Sequence, residues 1–98
     1  MNIQAMMKQA QKLQKEMTDT KNEIDSKTYE VTKSFVNIKM KGNKVLEEIK
    51  INLDSCEKED IEMLEDLLMV AINEATNQID KEIEEKMGKY TKGIPGLF

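Results

Sequence analysis

The chain contains no histidine, no arginine and no tryptophan, and its 98 residues include one cysteine and four aromatics, two Tyr and two Phe. Without histidine it lacks the side chain most often used for proton transfer near neutral pH. A single cysteine, Cys56, forbids an intrachain disulfide and suits a reducing compartment. Reactive cysteines sit in electropositive surroundings, whereas Cys56 is followed by Glu57, Glu59 and Asp60. It therefore reads as a packing or loop residue, and no enzymatic activity or cofactor is expected. The missing arginine removes the best bidentate reader of guanine, so sharp sequence readout of DNA is not expected. No segment approaches the roughly 20 apolar residues of a membrane span, and the N-terminus lacks a signal-peptide run. A cytoplasmic location without membrane attachment is the expectation.

Fifteen lysines stand against 19 acids, for a net charge of −4 that argues against indiscriminate polyanion binding by the whole surface. The charges are segregated along the chain. Residues 1–50 hold ten Lys and seven acids, whereas residues 51–98 hold five Lys and twelve acids. Any contact with nucleic acid must be local.

From Ile3 to Ile24 the positions Ile3, Met6, Ala10, Leu13, Met17, Thr20 and Ile24 recur at steps of three and four, the seam of one helix. Lys8, Lys12 and Lys15 fall on its opposite face, and the first 15 residues hold no acid. Between Lys27 and Leu53 the period becomes two, through Tyr29 and Val31, then Val36, Ile38 and Met40, then Val45, Ile49, Ile51 and Leu53. Three strands of about eight residues each fit. Lys41 to Lys44 reads as a two-residue hairpin with Gly42 and Asn43 at its tip. That register sets Met40 against Val45 and Val36 against Ile49, turns Lys39, Lys41, Lys44 and Lys50 to the other face, and leaves Glu47 opposite Ile38.

Asp54 and Ser55 offer helix caps, and the acids after them suit the positive end of a helix dipole. A second long helix follows on Ile61, Leu64, Leu68, Ala71, Ala75, Ile79 and Ile83, ending near Met87 where Gly88 can cap it. The tail from about 89 to 98 is expected to be irregular. With no linker or internal repeat, residues 1–98 form one α+β domain ordered α-β-β-β-α, with a three-stranded antiparallel sheet. A helix of some 28 residues, about 42 Å long, outruns strands of about 27 Å, and a second copy is the simplest cover for its remaining apolar stripe.

The chain resembles the YbaB/EbfC nucleoid-associated proteins over nearly its whole length. Met7-Lys8-Gln9-Ala10-Gln11-Lys12 looks like that family's first-helix opening, and Asp60 to Leu67, followed by Asn73-Glu74-Ala75, is similar to its second-helix signature. Lys86-Met87-Gly88 and the closing Gly93-Ile94-Pro95-Gly96-Leu97-Phe98 resemble its C-terminus. The resemblance implies a tweezer-shaped homodimer that binds double-stranded DNA and alters its conformation in the nucleoid, with roles in gene expression. The chain departs from the family at Val31 to Phe35, where a Gly-rich turn is usual, so its first hairpin is shorter.

Two lysine clusters are the candidates for phosphate contact: Lys8, Lys12 and Lys15 on the first helix, and Lys86, Lys89 and Lys92 after the last acid, Glu85. The lysine face of the second hairpin ranks behind them, diluted by Glu30 and Glu48. Against this stands the plain reading of lysines on a solvated helix face. A further competitor is mutual neutralisation, if the two long helices run in the same direction and bring the acidic start of the second beside the basic start of the first. The acids from Glu57 to Asp66 lack the loop spacing of a calcium site, and no metal is expected. No aromatic interleaves the lysines, which argues against a single-strand platform. An adaptor that binds another protein through its helices is the alternative function, suggested by the acidic balance and by Met1, Met6, Met7 and Met17.

Overall fold

The computed structural model describes residues 2–91 and shows helix α1 at Ile3–Ser26, strands β1 at Thr28–Lys33, β2 at Val36–Lys41 and β3 at Leu46–Ile51, and helix α2 at Asp60–Thr91. The α-β-β-β-α order and the antiparallel three-stranded sheet are as the periodicities require. Asn2 starts α1, its side-chain oxygen accepting from the Gln4 and Ala5 amides at 3.0 and 3.3 Å. The strands are six residues long rather than eight.

The second hairpin corrects the expected register. Its loop is three residues, closed by Lys44 N–H donating to the Lys41 carbonyl at 2.7 Å, and Lys44 takes the left-handed conformation at φ 69°. Asn43 instead accepts the Val45 amide through its side chain. Lys41 consequently bonds Val45, Met40 opposes Leu46, Ile38 opposes Ile49 and Val36 opposes Ile51. The register shift beside Met40 leaves Glu47 extra, so it does not oppose Ile38; it lies exposed and accepts from the Thr28 hydroxyl. Lys44 does not share the outward face of Lys39 and Lys50, for it reaches back to Asp80 of α2 at 2.6 Å. The first hairpin turns on two residues, Ser34 at φ 54° and Phe35, after which Lys33 opposes Val36.

Helix α2 begins at Asp60, later than the caps at Asp54 and Ser55 suggested. It also passes through Gly88 to Thr91, so the expected stop near Met87 and the irregular conformation of residues 89–91 are both corrected. A glycine inside a helix costs about 1 kcal/mol relative to alanine, which the burial of Met87 and Tyr90 on either side offsets. The remainder of the tail lies outside the described residues.

The core forms where Ala71, Ala75 and Ile79 of α2 pack on Tyr29, Val31, Val36, Ile38 and Met40. Two alanines in this row let the helix approach the sheet closely. A second cluster joins Ile24 of α1 to Met87 and Tyr90, flanked by Met17 and Ile83. Helix α2 is thus the spine of the molecule: its middle covers the sheet and its last turns carry α1.

Candidate nucleic-acid interface

Lys27 is the only residue between α1 and β1, and it is extended, at φ −74° and ψ 142°. No turn reverses the chain here. Lys27 pairs with Glu82 on α2 at 2.8 Å, Lys33 at the end of β1 pairs with Glu74, and Met17, ten residues before Lys27, packs beside Met87 and Tyr90. Both β1 and α1 therefore run antiparallel to α2, with the sheet beneath its middle and α1 along its last turns. The molecule is accordingly a rod of 71 × 21 × 14 Å. This overturns the parallel arrangement of helices considered above. The acids at the start of α2 lie at the opposite end from Lys8, Lys12 and Lys15, and cannot neutralise them within one chain.

Only Ile24 of α1 is buried. From Asn2 to Glu16 the helix is exposed throughout, and it projects past the last turn of α2 as an arm. Lys8, Lys12 and Lys15 stand on this arm, and no ion pair joins them to an acid among the described residues.

Lys86 and Lys89 lie at the base of the arm, where they line a groove with Thr20, Glu23 and Glu85. The antiparallel helices thus bring the two lysine clusters to one end of the rod, although they occupy different faces. The lysines of α1 stand opposite the seam that meets α2, whereas Lys86 and Lys89 flank it. Lys86 bonds Glu82 at 3.2 Å, and the Lys89 ammonium sits 5.0 Å from the centre of the Tyr90 ring. Lys92, the third member of that cluster, falls outside the described residues. On the hairpin, Lys39 pairs with Glu48 at 3.3 Å, so this third lysine face is partly neutralised.

The hub of this end is Glu82, whose side chain is 15% exposed and takes both Lys27 and Lys86 on one oxygen. The hydrogen bond from Lys27 holds its carboxyl below the ordinary value of 4.5, against an opposing push from burial and with further help from Lys86. The periodicities could not reveal this hub, since Lys27 and Glu82 are 55 residues apart and each alone looks like an ordinary surface charge. No group of three or more Cys, Asp or Glu side chains among the described residues is arranged to hold a metal ion.

The chain is thus a two-layer α+β protein whose first helix projects from one end of the rod and carries Lys8, Lys12 and Lys15 exposed. The sequence pattern of the YbaB/EbfC DNA-binding family matches residues 1–94, and the chain belongs to that family. It is 43% identical over 97 residues to a nucleoid-associated protein of Lactococcus lactis subsp. cremoris, covering 97% of this chain and 98% of the relative. It is 41% identical over 98 residues to a nucleoid-associated protein of Enterococcus faecalis, covering 98% and 94%. A nucleoid-associated protein of Ligilactobacillus salivarius is 40% identical over 99 residues, covering 99% and 95%. Among the described residues no helix is long and apolar enough to cross a membrane.

Proposed function

We propose that this DNA-binding protein acts in the nucleoid as a homodimer that grips duplex DNA through its phosphates, with little sequence specificity, and alters the conformation of the DNA, thereby contributing to gene regulation. The observation that carries the reading is the projecting arm of α1, with Lys8, Lys12 and Lys15 exposed and every acid of the chain placed after residue 15. Ammonium groups attract backbone phosphates without reading bases. Lys86 and Lys89 add charge at the foot of the arm, and Lys92 follows them in sequence. The names of the relatives, nucleoid-associated proteins from three organisms, support the same cellular role.

The homodimer rests on a separate feature. Leu46, Ile49 and Ile51 of β3 pair with Met40, Ile38 and Val36 and so continue the apolar face of the sheet, yet α2 covers β1 and β2 and leaves this row 36–46% exposed. Ile61, Met63, Met69 and Val70 of α2 are exposed as well. The exposed apolar row on β3 favours burial in a second copy. The adaptor reading keeps one observation in its favour, the exposed Ile3, Met6, Met7 and Leu13 on the same arm.

The test is binding of the purified protein to two duplexes of equal length and unrelated sequence at low salt. Comparable affinities, with two protomers in each complex by mass, support the reading. Absence of binding to either duplex, or binding to one alone, contradicts it.

A further inference from the structure

Gly42, at the tip of the β2–β3 turn, is buried against the last turn of α1. Its amide donates to the Lys27 carbonyl at 3.0 Å, and the Lys27 amide donates in turn to the Ile24 carbonyl at 3.1 Å. A Cβ built on Gly42 would sit 1.8 Å from the Ile24 carbonyl oxygen and 2.5 Å from its carbon. Both obstacles are backbone, so no change of rotamer relieves the clash. The left-handed position of this turn belongs to Lys44, at φ 69°. Glycine is needed at 42 for close approach rather than for its dihedral freedom.

We infer that Gly42 is a positioning residue: it is the seat that fixes the angle at which α1 leaves the body, and with it the placement of Lys8, Lys12 and Lys15. The DNA consequence rests on the function proposed above, whereas the seat itself does not. Ile24 is the one fully buried side chain of α1, and the Gly42 contact falls on its carbonyl. Helix α1 is therefore held only over its last turns, from Met17 to Ile24, and is unsupported before them. Lys8 lies sixteen positions before Ile24, about 24 Å of helix, so a tilt of about 10° at the seat displaces Lys8 by about 4 Å. That is comparable with the reach over which an ammonium–phosphate contact is made or lost.

The experiment uses the full chain with Cys56→Ser, spin labels on Gln11→Cys of the arm and Asn77→Cys of α2, and dilution with unlabelled protein so that only distances within one chain are read. The native seat predicts one narrow distance distribution. Gly42→Ala is expected to move its centre by about 3 Å, the lever arm at residue 11 being about 20 Å. Gly88→Ala, whose added Cβ meets nothing within 4 Å, is expected to leave it in place. On DNA the Gly42→Ala protein is expected to show a salt slope shallower by about 1 to 2, as one or two phosphate contacts are lost.

A Gly42→Ala protein that folds and keeps the native distance overturns the seat. If that variant does not fold, the native distribution decides, and a broad one overturns the inference. A shifted distance with unchanged DNA affinity upholds the seat while removing the arm of α1 from the DNA interface.

Discussion

The Lys27 ammonium lies 2.8 Å from a carboxylate oxygen of Glu82, joining the single residue that links α1 to β1 to the stretch of α2 that carries both. Glu82 also holds Lys86, so this one carboxylate ties the base of the arm to the spine.

Its carboxyl is held below the ordinary value, chiefly by the Lys27 hydrogen bond, so the folded state favours the charged form. A group depressed in this way contributes stability above its unfolded value of 4.5, and the contribution fades as pH falls through the lower folded value. Glu82→Gln is therefore expected to lower the melting temperature at neutral pH and to flatten its decline below pH 4.5. Thermal melts of both proteins from pH 3 to 7, roughly the range over which paired carboxylates titrate, measure the difference. Parallel curves would deny Glu82 this role.

Ile79 is fully buried between α2 and the sheet. Ile79→Ala removes three carbons from a closed site and is expected to cost about 2 to 5 kcal/mol. Denaturant unfolding followed by circular dichroism reads this directly. A cost below about 1 kcal/mol would mean that the site collapses or that α2 does not seal the sheet.

Ile49 and Ile51 are 46% and 42% exposed in the protomer, so charging them leaves its core intact. The double change Ile49→Lys and Ile51→Lys is expected to yield a folded monomer in place of the dimer proposed for the native chain. Sedimentation equilibrium distinguishes the two masses, and circular dichroism checks the fold. A variant that remains dimeric moves the interface off β3.

Much of the fold was legible in the sequence because apolar spacing follows the backbone period, even on α1, where Ile24 alone is buried. The three-and-four spacing of Ile3 to Ile24 and of Ile61 to Ile83 marks the helices, and the alternation of Tyr29, Val31, Val36, Ile38 and Met40 marks the buried face of the sheet. Turn geometry was less legible. Gly42 and Asn43 looked like residues for positive φ, but the contact of Gly42 with Ile24 is a tertiary event, and the strained conformation passed to Lys44.

The relative direction of the helices was hidden for a different reason. Periodicity reports which face of a helix is buried and says nothing of where the chain goes next. The available clue was the missing turn residue between Ser26 and Thr28, which lets the chain run straight from α1 into β1. At the candidate interface, the placing of Lys8, Lys12 and Lys15 on one face of α1 was readable, whereas the arrival of Lys86 and Lys89 at the same end required the antiparallel packing.

The most direct test of phosphate contact through α1 is duplex-DNA affinity across a salt series. It compares the native protein with the triple variant Lys8→Gln, Lys12→Gln and Lys15→Gln, once helicity and dimerisation are shown to be unchanged. Contact through this arm predicts weaker binding and a salt slope shallower by about 2 to 3 for each engaged arm. An affinity and slope equal to those of the native protein would contradict it.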